Sequence, residues 1–444
     1  MGNKHSRGWT GLAGMLLAAV SSVASGATGD TRPALPGSEG AAQENTDLQA
    51  ILKAMQSADA EALTRLYKES QDPVIHVWSA MALERVRFNL DAASADASTC
   101  ENALIDVRPG IALSCGQFRV GNLQLAGRWA DSHQAESELI ARFRGHGVDK
   151  RLDNMQAYLN GIAGQPALSY DMPAGDVTLK LEPRAKSKPM REEVSTIPRF
   201  TVSANGHEVE AMLDTGASDM ILGQEDAERL GVTPLDRQGH VNGWLAKDVP
   251  TQAGRLDTLA IGSITLHNVP VTVVPRPIVL IGGNLVAPLG TLKITQSDIQ
   301  IYGKDSLVPA CDTPMRVSTA LWGNSLRLYP QLLVNDTPQS VMLDTGAQSY
   351  LIGTRAALDE VTPLHRMKTS MKDIGGSHAF VNADAAKVKL TIANQPFDMT
   401  FEVYTDADNI KHPITLGAGA LRDMDFLLDF RHQRQCFLLH PDLR

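Results

Sequence analysis

Apolar residues recur at helical spacing through the first part of the chain, from residue 46 onward. Residues at i, i+3, i+4 and i+7 share one face of an α-helix, so this pattern predicts short amphipathic helices. The first helix is carried by Leu48, Ile51, Leu52 and Met55. Others are predicted around 63–67, from Pro73 with Asp72 as its cap, over 118–130 and 134–143 with a break at 131–132, and over 150–162. Together they predict an all-α domain, built like helical repeats, over 46–164.

The pattern changes on either side of this domain. Residues 28–45 are rich in glycine, proline, alanine and serine and predict a flexible leader. Residues 165–195 are rich in proline and charge and predict a linker, with one strand-like run over 177–181. From residue 196 onward, short apolar runs are bounded by glycine, asparagine and proline, which predicts β-strands and hairpins.

One short pattern occurs twice in the β-rich part. An apolar strand ends in Met-Leu-Asp-Thr-Gly-Ala at 212–217, followed by Ser218, and again at 342–347, followed by Gln348. A short run ending in glycine follows each copy, at 280–282 and at 415–417. Asp214 and Asp344 are 130 residues apart (344 minus 214), which is too long for one unit of a solenoid. The repeat predicts two duplicated all-β halves over 196–311 and 312–444.

The position of the two aspartates indicates their chemistry. Apolar flanks would place each carboxyl group in low dielectric, which disfavours its charged form. Two such carboxyl groups that face one another can share a proton, and one of them can then activate water while the other donates a proton. Asp214 and Asp344 are therefore the candidate catalytic residues. This chemistry requires no metal and no cofactor.

The two halves resemble retropepsin-type domains of the pepsin superfamily of aspartic endopeptidases, joined in one chain. The resemblance covers 197–439 and rests on both Asp-Thr-Gly loops, each followed at a similar distance by a glycine-ending run. It implies an α+β multidomain chain, in which the helical domain is followed by two all-β barrels related by a pseudo-twofold axis. It also implies an aspartic-type endopeptidase.

The resemblance assigns supporting roles to residues around each aspartate. Hydroxyl groups would lock the two loops together, and glycines would allow close approach to the aspartates. The residues assigned to the loops are Thr215, Gly216, Ser218, Thr345, Gly346 and Gln348. The residues assigned to the supporting glycine-ending runs are Ile281, Gly282, Leu416 and Gly417.

Two glycine-rich segments are candidate flaps over a substrate. The first includes Gly239, Val241, Gly243 and Trp244, and the second includes Ile374, Gly375 and Gly376. Retropepsin-like flaps are hairpins that close over the substrate and exclude water. The alternative is that both segments are ordinary exposed hairpins.

Four cysteines allow up to two disulfides. The resemblance implies a Cys311–Cys436 bond, because the terminal strands of the two halves approach one another in pepsin-like folds. Cys100 and Cys115 would form a local pair, and free buried thiols are the alternative for either pair. The chain has no Cys-x-x-Cys motif and no histidine spacing typical of a zinc site.

The N-terminus predicts export. Lys4 and Arg7 precede a short apolar run and then small residues, so 1–27 reads as a signal peptide, with an uncleaved anchor as the alternative. A periplasmic or secreted protein with no stable membrane span after processing is expected. The net charge is −9, and the sequence gives no indication of a basic surface that would bind nucleic acid.

The sequence therefore predicts an exported aspartic endopeptidase that acts on a peptide or protein substrate. We expect a monomer with an internal dyad, since the covalent link removes the entropy cost of association, although pairing between two chains is possible. The helical domain could dock a protein partner or serve as a pro-segment. The alternative function is a non-catalytic peptide-binding or scaffold protein.

Overall fold

The computed structural model describes residues 38–182, 195–243, 246–358, 362–372, 374, 378–404 and 414–441. The predicted signal peptide lies outside these residues. The chain folds into a helical domain followed by two β-rich halves, which confirms the predicted α+β class. Among the described helices, none is long and apolar enough to cross a membrane.

Seven helices form the N-terminal domain of the described chain. They are α1 (Ser38–Gln56), α2 (Ala60–Glu69), α3 (Pro73–Val86), α4 (Leu90–Leu104), α5 (Pro109–Leu125), α6 (Trp129–Phe143) and α7 (Asp149–Gly161). Asp72 caps α3 as predicted, since its side chain accepts a hydrogen bond from Val74 N at 2.8 Å. The Cys100–Cys115 disulfide joins α4 to α5.

The predicted helices need four corrections, the first of which is that α5 begins at Pro109 and not at 118. Helix α1 begins at Ser38, inside the segment predicted to be a flexible leader. The break before α6 lies at 126–128 and not at 131–132, and Gly127 adopts a φ of +74° there. Helix α4 was not predicted, because its buried residues are Ala93, Ala97, Cys100 and Glu101 and form no large apolar stripe.

The β-strands alternate with short helical turns along both halves. In the first half and the segment before it they are β1 (Ser169–Asp171), β2 (Val177–Lys180), β3 (Arg199–Ala204), β4 (His207–Asp214), β5 (Met220–Gly223), β6 (Thr233–Val241), β7 (Val249–Ile261), β8 (Ile264–Val274), β9 (Val279–Gly282), β10 (Thr291–Ile294) and β11 (Asp298–Tyr302). The short helices α8 (Gln224–Arg229) and α9 (Gly283–Val286) follow β5 and β9.

The second half repeats this arrangement. Its strands are β12 (Val317–Ser318), β13 (Arg327–Leu328), β14 (Gln331–Val334), β15 (Thr337–Ser340), β16 (Met342–Asp344), β17 (Leu351–Gly353), β18 (His365–Lys372), β19 (His378–Ile392), β20 (Gln395–Tyr404), β21 (Ile414–Gly417), β22 (Met424–Asp429) and β23 (Arg434–Leu439). In both halves the strand that ends in the aspartate pairs in parallel with the glycine-ending strand, β4 with β9 and β16 with β21.

A five-stranded sheet of order β2-β11-β10-β22-β23 joins the halves. Its central pair is antiparallel, with Thr291 opposite Asp429. The Cys311–Cys436 disulfide adds a covalent link between the halves beside this sheet. The segment predicted as a linker also takes part in the fold, because β2 forms an edge of the central sheet and β1 an edge of the first-half sheet. Its description as a simple connector was therefore incomplete.

The helical domain packs on the second half through a buried arginine. Arg85 on α3 has 0% of its surface exposed, and its guanidinium donates to Ala320 O at 3.0 Å and to Leu321 O at 2.9 Å. It also donates to Asn122 Oδ1 at 2.6 Å and to Phe118 O. One side chain donates to all four acceptors, so Arg85 connects α3 and α5 to the chain ahead of β13.

Two further contacts extend this interface. Arg316 forms a two-pronged ion pair with Glu61 of α2, at 2.6 and 2.5 Å. Helix α5 approaches the 321–323 segment so closely that a Cβ on Gly121 would lie 2.6 Å from Leu321 O. The helical domain therefore contacts the second half through close packing at Gly121 as well as through an ion pair.

We predict that Arg85→Met destabilises the protein by about 3 kcal/mol, because buried Leu321 O and Asn122 Oδ1 lose the guanidinium that donates to them. Urea unfolding measures this change. Arg128→Met is the control, since Arg128 lies in the same domain but its side chain is 59% exposed in its pair with Asp131. The control should change stability by less than about 0.5 kcal/mol. Equal effects of the two substitutions would contradict a special role for the buried arginine.

Candidate active site

Strand pairing places the two aspartates at equivalent positions. Asp214 ends β4 opposite Gly282 of β9, and Asp344 ends β16 opposite Gly417 of β21. Leucines 213 and 343, which precede the aspartates, are 2% and 1% exposed and anchor each strand in the core. Apolar residues thus bury each strand up to the leucine, and the aspartate carboxyl group lies at the end of the strand.

The carboxyl groups are held by the same hydrogen bonds in both loops. Asp214 Oδ1 accepts from Gly216 N at 2.9 Å and from Ala217 N at 3.1 Å. Asp344 Oδ1 accepts from Gly346 N at 2.9 Å and from Ala347 N at 3.1 Å. Each carboxyl group therefore has one oxygen engaged by its own loop.

The two threonines cross-link the loops. Thr215 Oγ1 donates to Leu343 O at 2.7 Å and accepts from Thr345 N at 3.1 Å. Thr345 Oγ1 donates to Leu213 O at 2.7 Å and accepts from Thr215 N at 3.1 Å. Both side chains are buried, so this reciprocal exchange fixes the distance between the loops.

The glycines of the two loops make room for the opposite carboxyl group. A Cβ on Gly216 would lie 2.5 Å from Asp344 Cγ, and a Cβ on Gly346 would lie 2.6 Å from Asp214 Cγ. Any side chain at these positions would displace an aspartate. Asp214 and Asp344 therefore lie together between two glycines.

Burial raises the pKa of both aspartates, and their mutual contact acts on the two carboxyl groups in opposite directions. Desolvation raises the pKa of Asp344 well above its usual value, and the negative charge of Asp214 raises it further. Desolvation also raises the pKa of Asp214, while a hydrogen bond with Asp344, the loop amides and the charge of Arg327 act in the opposite direction. The contact therefore favours a state in which the pair shares one proton.

The supporting glycine-ending strands lie directly behind the loops. Gly283 N donates to Ala217 O at 2.9 Å, and Ala418 N donates to Ala347 O at 2.8 Å. A Cβ on Gly282 would lie 2.5 Å from the carbonyl carbon of Ser218. Ile281 and Leu416 lie in register with the leucines before the aspartates, and both are buried.

Gln348 and Ser218 do not contact the aspartates through their side chains in the hydrogen bonds described. Gln348 Oε1 accepts from Ser195 Oγ at 2.5 Å, and its Nε2 donates to Thr196 Oγ1 at 3.4 Å. It thus holds the chain that enters the first half. Ser218 contributes its carbonyl oxygen, which accepts from Asn284 N at 2.8 Å.

Two residues around the site were not singled out from the sequence. Asn284 donates to Asp219 Oδ1 at 3.0 Å and accepts from Leu326 N at 3.2 Å, so it connects the first loop to the second half. Arg327 donates through Nε to Gly216 O at 3.1 Å. The place of Asn284, two residues after Gly282, is a signal that could have been noticed. Arg327 carries no such signal, because its contact is purely tertiary.

Both candidate flap segments lie at hairpins. The first hairpin joins β6 to β7, with Gly243 N donating to Ala246 O at 2.9 Å near its tip. The second joins β18 to β19. Val241 and Ile374, one from each hairpin, pack against the same apolar cluster of Met212, Ile221, Val274 and Leu280.

The remaining flap candidates are only partly described. Gly239 lies in β6, where a Cβ would meet Thr251 Oγ1 at 3.2 Å. Trp244, Gly375 and Gly376 lie outside the described residues. The role of either hairpin as a flap stays a prediction. Within the described part of the chain, no group of three or more His, Cys, Asp and Glu side chains could hold a metal ion.

Comparison with known proteins shows that part of this chain is similar to a known family. Residues 200–285, which include the first Asp-Thr-Gly loop and its glycine-ending strand, match the family model described as aspartyl protease. This match confirms the predicted resemblance to the pepsin and retropepsin superfamily of aspartic proteases. The comparison with curated proteins gave no match.

Several solved structures are similar to the chain. A retropepsin-like aspartic protease from Rickettsia conorii is 19% identical with a TM-score of 0.22, over 31% of this chain and 94% of that chain. The aspartic proteinase from Irpex lacteus is 12% identical with a TM-score of 0.36, over 60% and 98%. Basic 7S globulin from soybean is 11% identical with a TM-score of 0.36, over 60% and 95%.

We predict that Thr215→Val destabilises the protein by about 2–4 kcal/mol, because Leu343 O and Thr345 N lose their partner in a buried position. Thr201→Val is the matched control, since the Thr201 hydroxyl bonds Glu182 on the exposed face of β3. Chemical denaturation of both variants measures the difference. A loss at Thr215 no larger than at Thr201 would show that the loops do not depend on the hydroxyl.

We predict a pH dependence of stability that originates in the aspartate pair. A raised pKa means that the folded state binds its proton more tightly than the unfolded state, whose value is near 3.8. The unfolding free energy should therefore fall as pH rises from about 4 through the raised pKa. In Asp344→Asn the amide does not ionise, so the fall should be smaller.

Denaturation curves between about pH 4 and about pH 7 compare wild type with Asp344→Asn and with the double variant Asp214→Asn/Asp344→Asn. The double variant should show the flattest profile. Identical slopes in all three proteins would mean that the pair does not carry a shared proton.

Proposed function

We propose that the chain is an aspartic endopeptidase in which Asp214 and Asp344 form one catalytic dyad. The observation that supports this most directly is the reciprocal contact of the two loops, in which each glycine faces the carboxyl group of the other half. A fold that needed aspartates only as turn residues would not require two of them in contact. The match of 200–285 to the aspartyl protease family supports the same reaction class.

The chemistry follows from the shared proton. One ionised carboxylate takes a proton from a water molecule, whose oxygen attacks the carbonyl carbon of the peptide bond. The protonated carboxyl group gives its proton to the carbonyl oxygen. The carboxyl group that took the proton of water then donates it to the nitrogen, while the other carboxylate takes a proton back from a hydroxyl group of the intermediate. The C–N bond breaks and the amine leaves. The residues supply acid and base catalysis with no covalent enzyme intermediate.

The dyad is proposed to form within a single chain. Strands β10 and β22, which come from different halves, pair in the central sheet, and Cys311–Cys436 links the halves covalently. These connections hold both loops together without a second copy. The two disulfides also suit an exported protein, since such bonds persist in oxidising compartments.

The helical domain is proposed to stay with the β halves as a permanent support. Its chain continues into β2, which is an edge strand of the central sheet, and Arg85 holds the segment ahead of β13. Removal of a pro-segment would break both connections. Docking of a protein partner on this domain stays a prediction.

We predict that Asp214→Asn and Asp344→Asn each reduce peptide cleavage by about 10²- to 10⁴-fold, because either change removes the acid–base pair. A peptide library, tested between about pH 3 and about pH 8, measures cleavage and reveals the preferred sequence. Asp429→Asn is the control, since Asp429 is 4% exposed but lies in the central sheet, bonded to Thr291. Cleavage should persist in this folded control.

Two results would contradict the proposal. Cleavage that survives in both dyad variants would exclude the mechanism. A wild-type protein that neither cleaves any peptide nor binds a statine-type transition-state analogue would favour the non-catalytic scaffold, because a dyad enzyme binds such an analogue tightly.

A further inference from the structure

The two Asp-Thr-Gly loops have the same hydrogen bonds but different neighbours. The register of the β3–β4 and β14–β15 hairpins relates the halves by a constant shift of 130 residues, since Ala204 pairs with His207 and Val334 pairs with Thr337. Under this shift Arg327 of the second half corresponds to Ile197 of the first. A cation thus occupies a position in one half that an apolar side chain occupies in the other.

Arg327 acts on the first loop. Its Nε donates to Gly216 O at 3.1 Å, and its charge favours the ionised form of Asp214, which lowers the pKa of that carboxyl against the effect of desolvation. Ile197 instead packs against the apolar cluster around Met212. The charge that acts on Asp344 is that of Asp214, which disfavours ionisation.

The position of Arg327 is fixed on both sides. Leu326 N donates to Asn284 Oδ1 at 3.2 Å, and Leu328 pairs with Leu343 next to the second aspartate. Upstream, Arg85 of the helical domain holds the carbonyl groups of Ala320 and Leu321. Strand β13 is therefore connected to both aspartate loops and to the helical domain.

Other titratable groups face this region and are part of the electrostatic balance. Asp219 is bonded to Asn284 and lies within the influence of both Arg327 and Arg237. Tyr329 follows Arg327 by two residues and also experiences its charge. Of these three groups, only Arg327 has a described hydrogen bond to an Asp-Thr-Gly loop.

We propose that Arg327 is a positioning residue that makes two otherwise equivalent aspartates unequal, so that Asp214 is the ionised base and Asp344 holds the proton. This inference rests on the proposed peptidase function and assigns a role to each carboxyl group. Asp214 takes the proton from water as the water oxygen bonds to the carbonyl carbon. Asp344 gives its proton to the carbonyl oxygen in the same step.

The test compares the pH dependence of kcat/KM for wild type, Arg327→Gln and Arg327→Lys on a peptide that wild type cleaves. The acidic limb reports ionisation of the base in the free enzyme. Arg327→Gln keeps an N–H donor but loses the charge. The acidic limb of its kcat/KM profile should therefore shift to higher pH by about one unit. Arg327→Lys retains the charge, and its limb should stay near that of wild type.

A control and a substrate-free measurement complete the test. Arg199→Gln removes a cation of β3 that pairs with Glu210 on the exposed side, and its limb should not move. Carboxyl ¹³C NMR of aspartate-labelled protein, with the Asp214 signal assigned by its loss in Asp214→Asn, reads the same pKa without cleavage. The pKa of Asp214 should rise by about one unit in Arg327→Gln.

The outcomes separate the two proposals. An acidic limb and an Asp214 titration that are unchanged in folded Arg327→Gln would overturn the role of Arg327, even if both dyad variants abolish cleavage. A uniform loss of activity at every pH would also overturn it, because a merely structural contact lowers activity without moving the limb. Absence of cleavage in wild type would contradict the peptidase function alone, since the NMR titration still tests the asymmetry.

Discussion

Two carboxyl groups that lie against one another in a desolvated position repel if both are ionised, and the architecture around them depends on this constraint. Thr215 and Thr345 hold the loops together in spite of it, through four hydrogen bonds between hydroxyl and backbone groups. This lock is neutral, so it does not compete for the proton. It sets the separation of the carboxyl groups while their charge state stays free to change.

The rest of the molecule supports this lock from three directions. The glycine-ending strands lie behind the loops, the central sheet joins the halves, and β13 connects both loops to the helical domain. Arg85 of the helical domain bonds one end of the stretch 320–327 and Arg327 lies at the other end, so a continuous series of contacts links the helical domain to Gly216. A domain distant in sequence is thereby part of the surroundings of the site.

Much of the fold could be predicted because its signals are local. The helices with large apolar stripes, the Asp72 cap and both hairpins are all present. Helix α4 was missed because small buried residues give a weak periodic signal, and β1 could not be foreseen because its partner, β8, lies almost 100 residues away: Ser169 pairs with His267. Gln348 was assigned to the support of its aspartate loop, and its side chain bonds Ser195, since a long amide can reach several partners.

The sequence by itself determined where the two aspartates would lie relative to their own strands. An apolar run followed by Asp-Thr-Gly specifies a buried strand with a carboxyl group at its end, through neighbours in the chain. Only the tertiary structure decided how the two loops differ. Arg327 reaches Gly216 across 111 residues of chain, and no local pattern distinguishes it from other arginines. Charge acts through space, so the inequality of two nearly identical loops becomes visible only once the chain is folded.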